Sequence, residues 1–481
     1  MNVINCPKKR LPATLVILVT VLAMVPVSAK MLFQITPEAS ISEEYSDNYL
    51  RESANKQEEF VTTYAAGLTL AVMAGENQMF LTYTPTYREY RNLDERDGLN
   101  HVVSMDARFS PTKHTDLKAR AYSDGKSGNY QGETQERNAS LSGTTQAGEH
   151  TQLTYSHHYS RSFDQQLRTG IYKQHTLNTT QAALNHQYGK KDTLKTAFIY
   201  ETDTYQSADS DEYKKIEPSV TNAYWFSPLY GMETNLDYQK KDFKQPGNDL
   251  DTYAGHMKFM RAFSKNMDGY LRYRHSYTDS ETYTHNIFHP SFGMDWDVSE
   301  DSGISLGLGL LFHDRSDGAN STDPFVDFNA FKRFEFNPRT TLTLTGSSDY
   351  SSSGDTASSL GYQTSYRAGA VFSYQLFKQL GTTLSGAYSR ISFDDPLTSR
   401  DDDMTTLGAG LAWTPLKWLR IGLNYSFTDY RTTAAIRNDY QDNRVFLSVS
   451  LIPETPIRPD KALTRTEFED RVFTPENYWK P

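Results

Sequence analysis

Tyr362-Gln363-Thr364-Ser365-Tyr366-Arg367-Ala368-Gly369-Ala370-Val371-Phe372-Ser373-Tyr374-Gln375 is the stretch whose reading decides the fold. In an extended chain Tyr362, Tyr366, Ala368, Ala370, Phe372 and Tyr374 share one face. Gln363, Ser365, Arg367, Gly369, Ser373 and Gln375 share the other. Successive side chains of a strand point to opposite faces, so this segment is apolar on one side and hydrophilic on the other. The same period recurs on either side of it. Leu342 and Leu344 oppose Thr343 and Thr345. Ile304, Leu306, Leu308 and Leu310 oppose Ser305, Gly307 and Gly309. Ile421, Leu423, Tyr425 and Phe427 oppose Arg420, Asn424, Ser426 and Thr428. A few segments, such as that around Thr176–Tyr188, are too polar to read in this way.

These segments alternate between tight turns and longer polar connections. Tight turns are expected near Gly75-Glu76-Asn77, Pro111-Thr112-Lys113, Gly148-Glu149-His150, Gly189-Lys190-Lys191 and Pro228-Leu229-Tyr230. Five more fall near Ser264-Lys265-Asn266, Glu300-Asp301-Ser302, Asn337-Pro338-Arg339, Lys378-Gln379-Leu380 and Thr414-Pro415-Leu416. With a strand at each end, this count predicts about 22 strands. A repeat of this size also occurs in propellers and solenoids. Propeller strands bury both faces, whereas here one face is wetted in nearly every segment. The expected class is therefore all-β, a transmembrane antiparallel up-and-down β-barrel following a cleavable signal peptide.

The N-terminus agrees. Lys8, Lys9 and Arg10 precede an apolar run from Leu11 to Val27, closed by Val27-Ser28-Ala29. This is the pattern of a secretory signal cut after about Ala29. Pro12 and Pro26 and the shortness of the run argue against an uncleaved anchor. The single cysteine, Cys6, precedes the run, so the exported chain has no thiol for a disulfide or a thiolate metal site. Thirty-two Tyr and 25 Phe accompany low overall hydrophobicity, a combination that a wall between lipid and water reconciles. The formal charge of −10 becomes more negative once the three basic signal residues are removed, which argues against nucleic acid as a partner. It suits acidic loops at a lipopolysaccharide surface.

Three regions are expected: the signal peptide over 1–29, the barrel over 30–453 and a polar tail over 454–481. Little chain separates Ala29 from the first strand, leaving no room there for a plug domain. The tail either stays in the periplasm or tucks into the lumen. Its last strand, about Arg444–Ile452, lacks the aromatic end residue through which many barrels address the barrel-assembly machinery. Phe226, Tyr230, Phe263, Phe334, Phe336, Phe377, Trp413 and Trp418 gather near the tight turns, as an aromatic girdle at the headgroup level would. The longer connections are polar and short: Asp94-Glu95-Arg96-Asp97, Ser207–Glu212, Gln245–Asp249, Asp314–Asp323, Ser351–Asp355 and Asp394–Asp403. None is long enough to fold inward as a large constriction loop.

Catalytic chemistry is not legible. No phosphate-binding glycine loop, nucleophile elbow or metal-spaced His/Cys set occurs, so neither catalytic residues nor a cofactor nor a metal is expected. His157 and His158 point to opposite faces, while His285 and His289 share a face too far apart for one metal. These histidines are expected to wet the lumen or its loops. On the inward faces basic residues recur: Arg88, Arg108, Lys118, Arg120, Lys195, Lys258, Arg272, Arg274, Arg367 and Arg420, with fewer acids (Asp106, Glu233, Asp237). A basic wall beneath acidic loops would favour anions. About 22 strands, spaced about 4.8 Å and tilted about 40°, enclose a ring about 40 Å across, too wide for side chains to fill.

Glu44-Tyr45-Ser46-Asp47-Asn48-Tyr49, with the strand pair carrying Tyr83, Tyr87 and Tyr90, resembles the opening of the beta-barrel porin 2 family. That resemblance implies the same barrel architecture and a role in envelope polymer export, with no catalytic residues to carry over. The expected function is a passive channel for hydrophilic, anionic solutes or an exopolysaccharide, set in outer-membrane lipid and lipopolysaccharide of a Gram-negative cell. The alternative is a structural or binding barrel whose acidic loops, Asp401-Asp402-Asp403 among them, hold divalent ions or surface partners.

Overall fold

The computed structural model describes residues 31–128, 134–165, 172–205, 212–245, 247–280, 284–316, 320–353, 361–394, 399–433 and 439–452. The expected signal peptide and C-terminal tail lie outside these residues, as does most of Ser207–Glu212. The first seven strands are β1 Met31–Ser46, β2 Glu59–Ala74, β3 Asn77–Tyr90, β4 Gly98–Thr112, β5 Thr115–Gly128, β6 Thr134–Gly148 and β7 Thr151–Gln165. There follow β8 Tyr172–Gln187, β9 Thr193–Tyr205, β10 Tyr213–Tyr224, β11 Tyr230–Phe243, β12 Leu250–Ser264, β13 Met267–Ser280, β14 Thr284–Ser299 and β15 Ser302–Arg315. The last seven are β16 Ser321–Asn337, β17 Thr340–Ser353, β18 Gly361–Phe377, β19 Leu380–Asp394, β20 Arg400–Leu416, β21 Leu419–Thr432 and β22 Tyr440–Leu451. Each pairs antiparallel with its sequence neighbour, and β1 pairs with β22, so the 22-stranded sheet closes on itself.

Closure makes the two faces unequal. Leu236, Leu271 and Phe292 stand 71, 65 and 58 % exposed on one face, with Leu306, Leu308, Leu384 and Leu407 also exposed on it. In a closed wall that face is the outside, where lipid covers it. Register carries the assignment round the ring, because directly opposite residues share a face. The polar segment around Thr176–Tyr188 is strand β8, laddered on both sides to β7 and β9. Backbone pairing holds it where alternation gave no signal.

Nine of the ten expected tight turns fall where the sequence placed them. In the tenth, β20 continues through Pro415 to Leu416 and the turn is Lys417-Trp418. A register shift between Trp413 and Leu416 accommodates the proline, which has no N–H to give to a ladder. In the first turn Gly75 has φ 63, with open space where a Cβ would stand. Gly75→Val is therefore expected to cost about 1–2 kcal/mol through the backbone alone, read from the urea midpoint of the barrel in detergent. The aromatics near these turns are exposed at the same rim, Phe336, Phe377 and Trp418 among them.

The loop-bearing rim differs. Inside it, three small clusters pack against the inner face: Val61, Tyr90 and Leu93 with Tyr49; Phe243 and Leu250 with Tyr213; and Ile287, Leu311, Phe325 and Tyr362 with Tyr350. Among the described residues, the mouth is thus lined at these three places by strand ends together with Tyr49 and Leu93 beside them.

Candidate lumen site

The third cluster marks a pinch in the wall. Arg272 on β13 pairs with Asp327 on β16, and the Arg274 guanidinium lies 5.3 Å from the Tyr350 ring centroid on β17. Three strand spacings of about 4.8 Å put β13 about 14 Å from β16 along a flat sheet, so the wall must curl for these groups to touch. The β16–β17 ladder accordingly ends at Asn329↔Ser347. Above it the Ser348 hydroxyl takes the Phe328 N–H at 2.7 Å and donates to the Val326 carbonyl at 2.5 Å. Tyr350 then packs on Phe325 and His289, and the Tyr362 hydroxyl donates to Asp323 at 2.8 Å. Tyr362 therefore turns inward, although alternation set it with the lipid-facing Ala368 and Phe372.

Lys258 joins the pinch through Asp295, at 2.6 Å, with its ammonium 4.5 Å from the Tyr270 ring centroid. Tyr270 lies flat on the wall because Gly293 and Gly307, paired in register, leave room for it. A Cβ on either would stand within 2.5–2.6 Å of the tyrosine. The pinch thus gathers Lys258, Arg272 and Arg274 with two acids and two tyrosines.

The other expected lumen cations are spread round the same inner face. Arg108 and Lys118 are register partners on β4 and β5, beside Arg120 and Asp106. Arg108 pairs with Asp116 at 2.9 Å and Arg120 with Asp106 at 3.0 Å. Arg88 lies near the mouth on β3, Lys195 on β9, Arg367 on β18 and Arg420 on β21 opposite Ser450. Among the described residues Lys118, Lys195 and Arg367 have no ion pair. Glu233, beside His256 at 2.9 Å, and Asp237 face inward as expected from the sequence.

Inward acids are more numerous than alternation suggested. Glu44, Asp116, Glu201, Glu217, Asp295, Asp327 and Asp442 all face inward, and most hold a cation: Lys215 lies 3.5 Å from Glu201 and 3.4 Å from Glu217. By register Glu38, Glu59, Asp124 and Glu136 also face inward. Among the described residues the inner wall is therefore a mosaic in which acids at least match the cations, not a uniformly basic surface. Opposite charges facing each other across strands stabilise the sheet, which is why the mosaic forms.

The histidines also depart from expectation. His157 and His158 do take opposite faces, but His285 and His289 do not wet the lumen: they are 1 and 0 % exposed. His285 packs on His313 at 4.3 Å, and His289 on Phe325 and Tyr350. No group of metal-ligating side chains forms among the described residues. Asp401, Asp402 and Asp403 are not a loop but the start of β20. There they meet Arg390, the Thr432 hydroxyl and the Tyr388 hydroxyl. The three carboxylates thus stand on a strand, each with at least one oxygen already hydrogen-bonded, rather than in a loop as the sequence suggested.

The Glu44–Tyr49 motif has a structural task. Ser46 donates to Asp442 at 2.7 Å, while the Asn443 backbone and side-chain N–H groups donate to the two Asp47 oxygens, each at 2.7 Å. The Asn48 amide donates to the Gln441 and Glu52 carbonyls, both at 2.8 Å. The motif fastens β1 to β22. Beside it, burial and the Tyr90 hydroxyl, 3.4 Å away, raise the Tyr49 phenol above its ordinary range.

No protein-family profile matches the chain, and no curated protein does. Solved structures do match. The siderophore receptor PirA from Acinetobacter baumannii is similar over 88 % of this chain and 81 % of its own, with TM-score 0.53 and 8 % identity. The ferric-catecholate import receptor Fiu from E. coli K12 is similar over 86 and 81 %, with TM-score 0.54 and 9 % identity. The fold is that of an outer-membrane β-barrel. The ferric enterobactin receptor PfeA from Pseudomonas aeruginosa, a mutant solved with enterobactin, is similar over 87 and 81 %, with TM-score 0.53 and 8 % identity. These neighbours are receptors and not members of the beta-barrel porin 2 family, so that resemblance holds only at the level of the outer-membrane barrel. At such identities the likeness is one of fold.

Proposed function

We propose that the barrel is a water-filled passage across the outer membrane for hydrophilic, anionic solutes or an anionic polymer. The observation that carries this is an inner face charged and hydroxylated all round a ring too wide for side chains to fill. Acid–base pairs keep that face wet, and Lys118, Lys195, Arg367 and the Arg274–Tyr350 stack supply cations that hold no acid among the described residues. Purified barrel added to a planar bilayer is expected to give stepwise conductance. Insertion without conductance would count against a passage.

Charge selectivity has its own test. With Arg272→Glu and Arg274→Glu combined, the reversal potential in a salt gradient is expected to move toward cation preference. An unchanged potential would remove the anion assignment while leaving the passage.

A second reading, capture of a compact anion at the pinch, is favoured by the grouping of Lys258, Arg272 and Arg274 with Tyr270 and Tyr350. The neighbouring structures bear siderophore-receptor names, one of them with enterobactin bound. Capture would appear as conductance that saturates with anion concentration, and free diffusion as conductance that does not.

A further inference from the structure

We infer that Ser162, His175 and Asp203 form an acyl-transfer centre on the inner wall, near the mouth, acting on carboxylic esters that enter the lumen. Ser162 on β7 and His175 on β8 are direct register partners, and Asp203 on β9 stands diagonally across from His175, opposite Leu177. Three adjacent strands therefore bring together residues separated by loops in the sequence.

The contacts run in one direction. The His175 Nδ1 lies 3.0 Å from Asp203 Oδ1 and 3.3 Å from Oδ2, while its Nε2 lies 2.6 Å from the Ser162 hydroxyl. With the Nδ1 proton donated to the carboxylate, Nε2 is left as the acceptor for the serine O–H. The ring is held further by stacking on Tyr205, with centroids 5.4 Å apart and planes 20° apart. The side chains of His175 and Asp203 are only 15 and 11 % exposed, so the pair is screened from bulk water on the inner face of the wall.

Four other histidines carry one half of this arrangement each. His157 meets Thr180, His186 meets Thr151 and His101 meets Tyr83, each at 2.9 Å from a hydroxyl; His256, among the described residues, meets Glu233, also at 2.9 Å, and no hydroxyl. Cross-strand hydroxyl–histidine pairs are thus ordinary in this wall. At His175 a carboxylate also lies behind the ring, which is what general-base activation of a hydroxyl requires.

The step balances without a cofactor. Ser162 Oγ bonds to the ester carbonyl carbon as its proton passes to His175 Nε2. The ester C–O bond breaks and the alcohol leaves with that proton. Water then attacks the acyl-serine, its proton passing to Nε2 and on to Oγ, and a carboxylic acid is released. Asp203 is a positioning residue, holding the ring and its tautomer.

The full-length barrel in detergent, treated with a fluorophosphonate, is expected to carry a covalent adduct on the peptide containing Ser162. Hydrolysis of p-nitrophenyl acetate is expected to fall to the protein-free background in Ser162→Ala and about 100-fold in His175→Gln. Asp203→Asn is expected to lower kcat about 100-fold with KM kept, a split that a merely structural contact would not produce. Thr180→Ala, at the His157 pair, should leave turnover unchanged. Heat-modifiable gel migration reports whether each variant is folded, and Ser162→Thr, which keeps the hydroxyl, serves where alanine fails. An adduct absent or mapped elsewhere would overturn the proposal. So would wild-type hydrolysis by folded Ser162→Ala, including the case where only His175→Gln loses activity, since the ring alone would then be the nucleophile. None of these readouts depends on whether the barrel conducts.

Discussion

Arg444→Met is expected to destabilise the barrel by about 3–5 kcal/mol, the usual effect of removing one partner from a buried charge network. Arg444 lies on the inner face of β22, where its guanidinium reaches Asp442 at 2.5 Å and Glu44 of β1 at 3.2 Å. The three side chains are 12, 2 and 23 % exposed, so removing the cation leaves two carboxylates close together in a poorly solvated seam. Apart from this network and the clasp of Ser46, Asp47 and Asn48, the seam rests on a short ladder. Its ladder runs only from Ala39↔Leu451 to Ser46↔Arg444, whereas β1 pairs with β2 from Met31↔Ala74 to Ser46↔Glu59. It also joins the two ends of the described chain, so its contacts close the longest loop in the molecule and form only at a high entropic cost. Urea titration of the barrel in micelles would read the effect, and a shift below about 1 kcal/mol would show that backbone pairing suffices. Adding Asp442→Asn to Arg444→Met should recover part of the loss, because it removes one of the two crowded carboxylates, the one for which only Arg51 at 4.0 Å would remain as a cation.

The seam shows what the sequence could and could not disclose. Strand β15 was legible because Ile304, Leu306, Leu308 and Leu310 face lipid along its whole middle. The first residues of β22, Tyr440 to Asn443, were not, because their polar side chains serve the clasp rather than either face of a membrane wall. Asp401, Asp402 and Asp403 misled for a related reason. β20 spans 17 residues, while about 9–11 tilted residues cross the hydrocarbon. The part of the strand above the lipid is free to be acidic and looks like a loop. Asp295 and Asp327 were missed because β14 and β16 carry His289, Ile287 and Phe325 on the inner face, and that inversion hides the alternation. Ser162, His175 and Asp203 lay beyond any single-strand reading. Their meeting depends on the register of three strands, which turn lengths and the ladder set but periodicity does not.

Leu236→Arg is expected to cost about 2–4 kcal/mol in a bilayer, the range for a cation on the lipid face at mid-depth. Leu236 stands near the middle of β11 and is the most exposed of the large apolar side chains, at 71 %. Its neighbours in register are Val220 on β10 and Gly255 on β12, neither of which offers a counter-charge. The adjacent residue supplies the control. Asn235 points to the other face, where its amide donates to the Thr221 hydroxyl at 3.1 Å and to Asp237 at 3.3 Å. Asn235→Arg would set a cation beside Asp237 in water and is expected to change stability by less than about 1 kcal/mol. Moving the same charge by one residue thus separates an inserted barrel from a failed one, because neighbouring strand positions face opposite solvents. Folding yield into lipid vesicles, scored by heat-modifiable migration, measures both variants side by side. Equal yields would mean that the two faces do not meet different solvents. Swapped yields would put the lumen on the side that carries Leu236, Leu271 and Phe292.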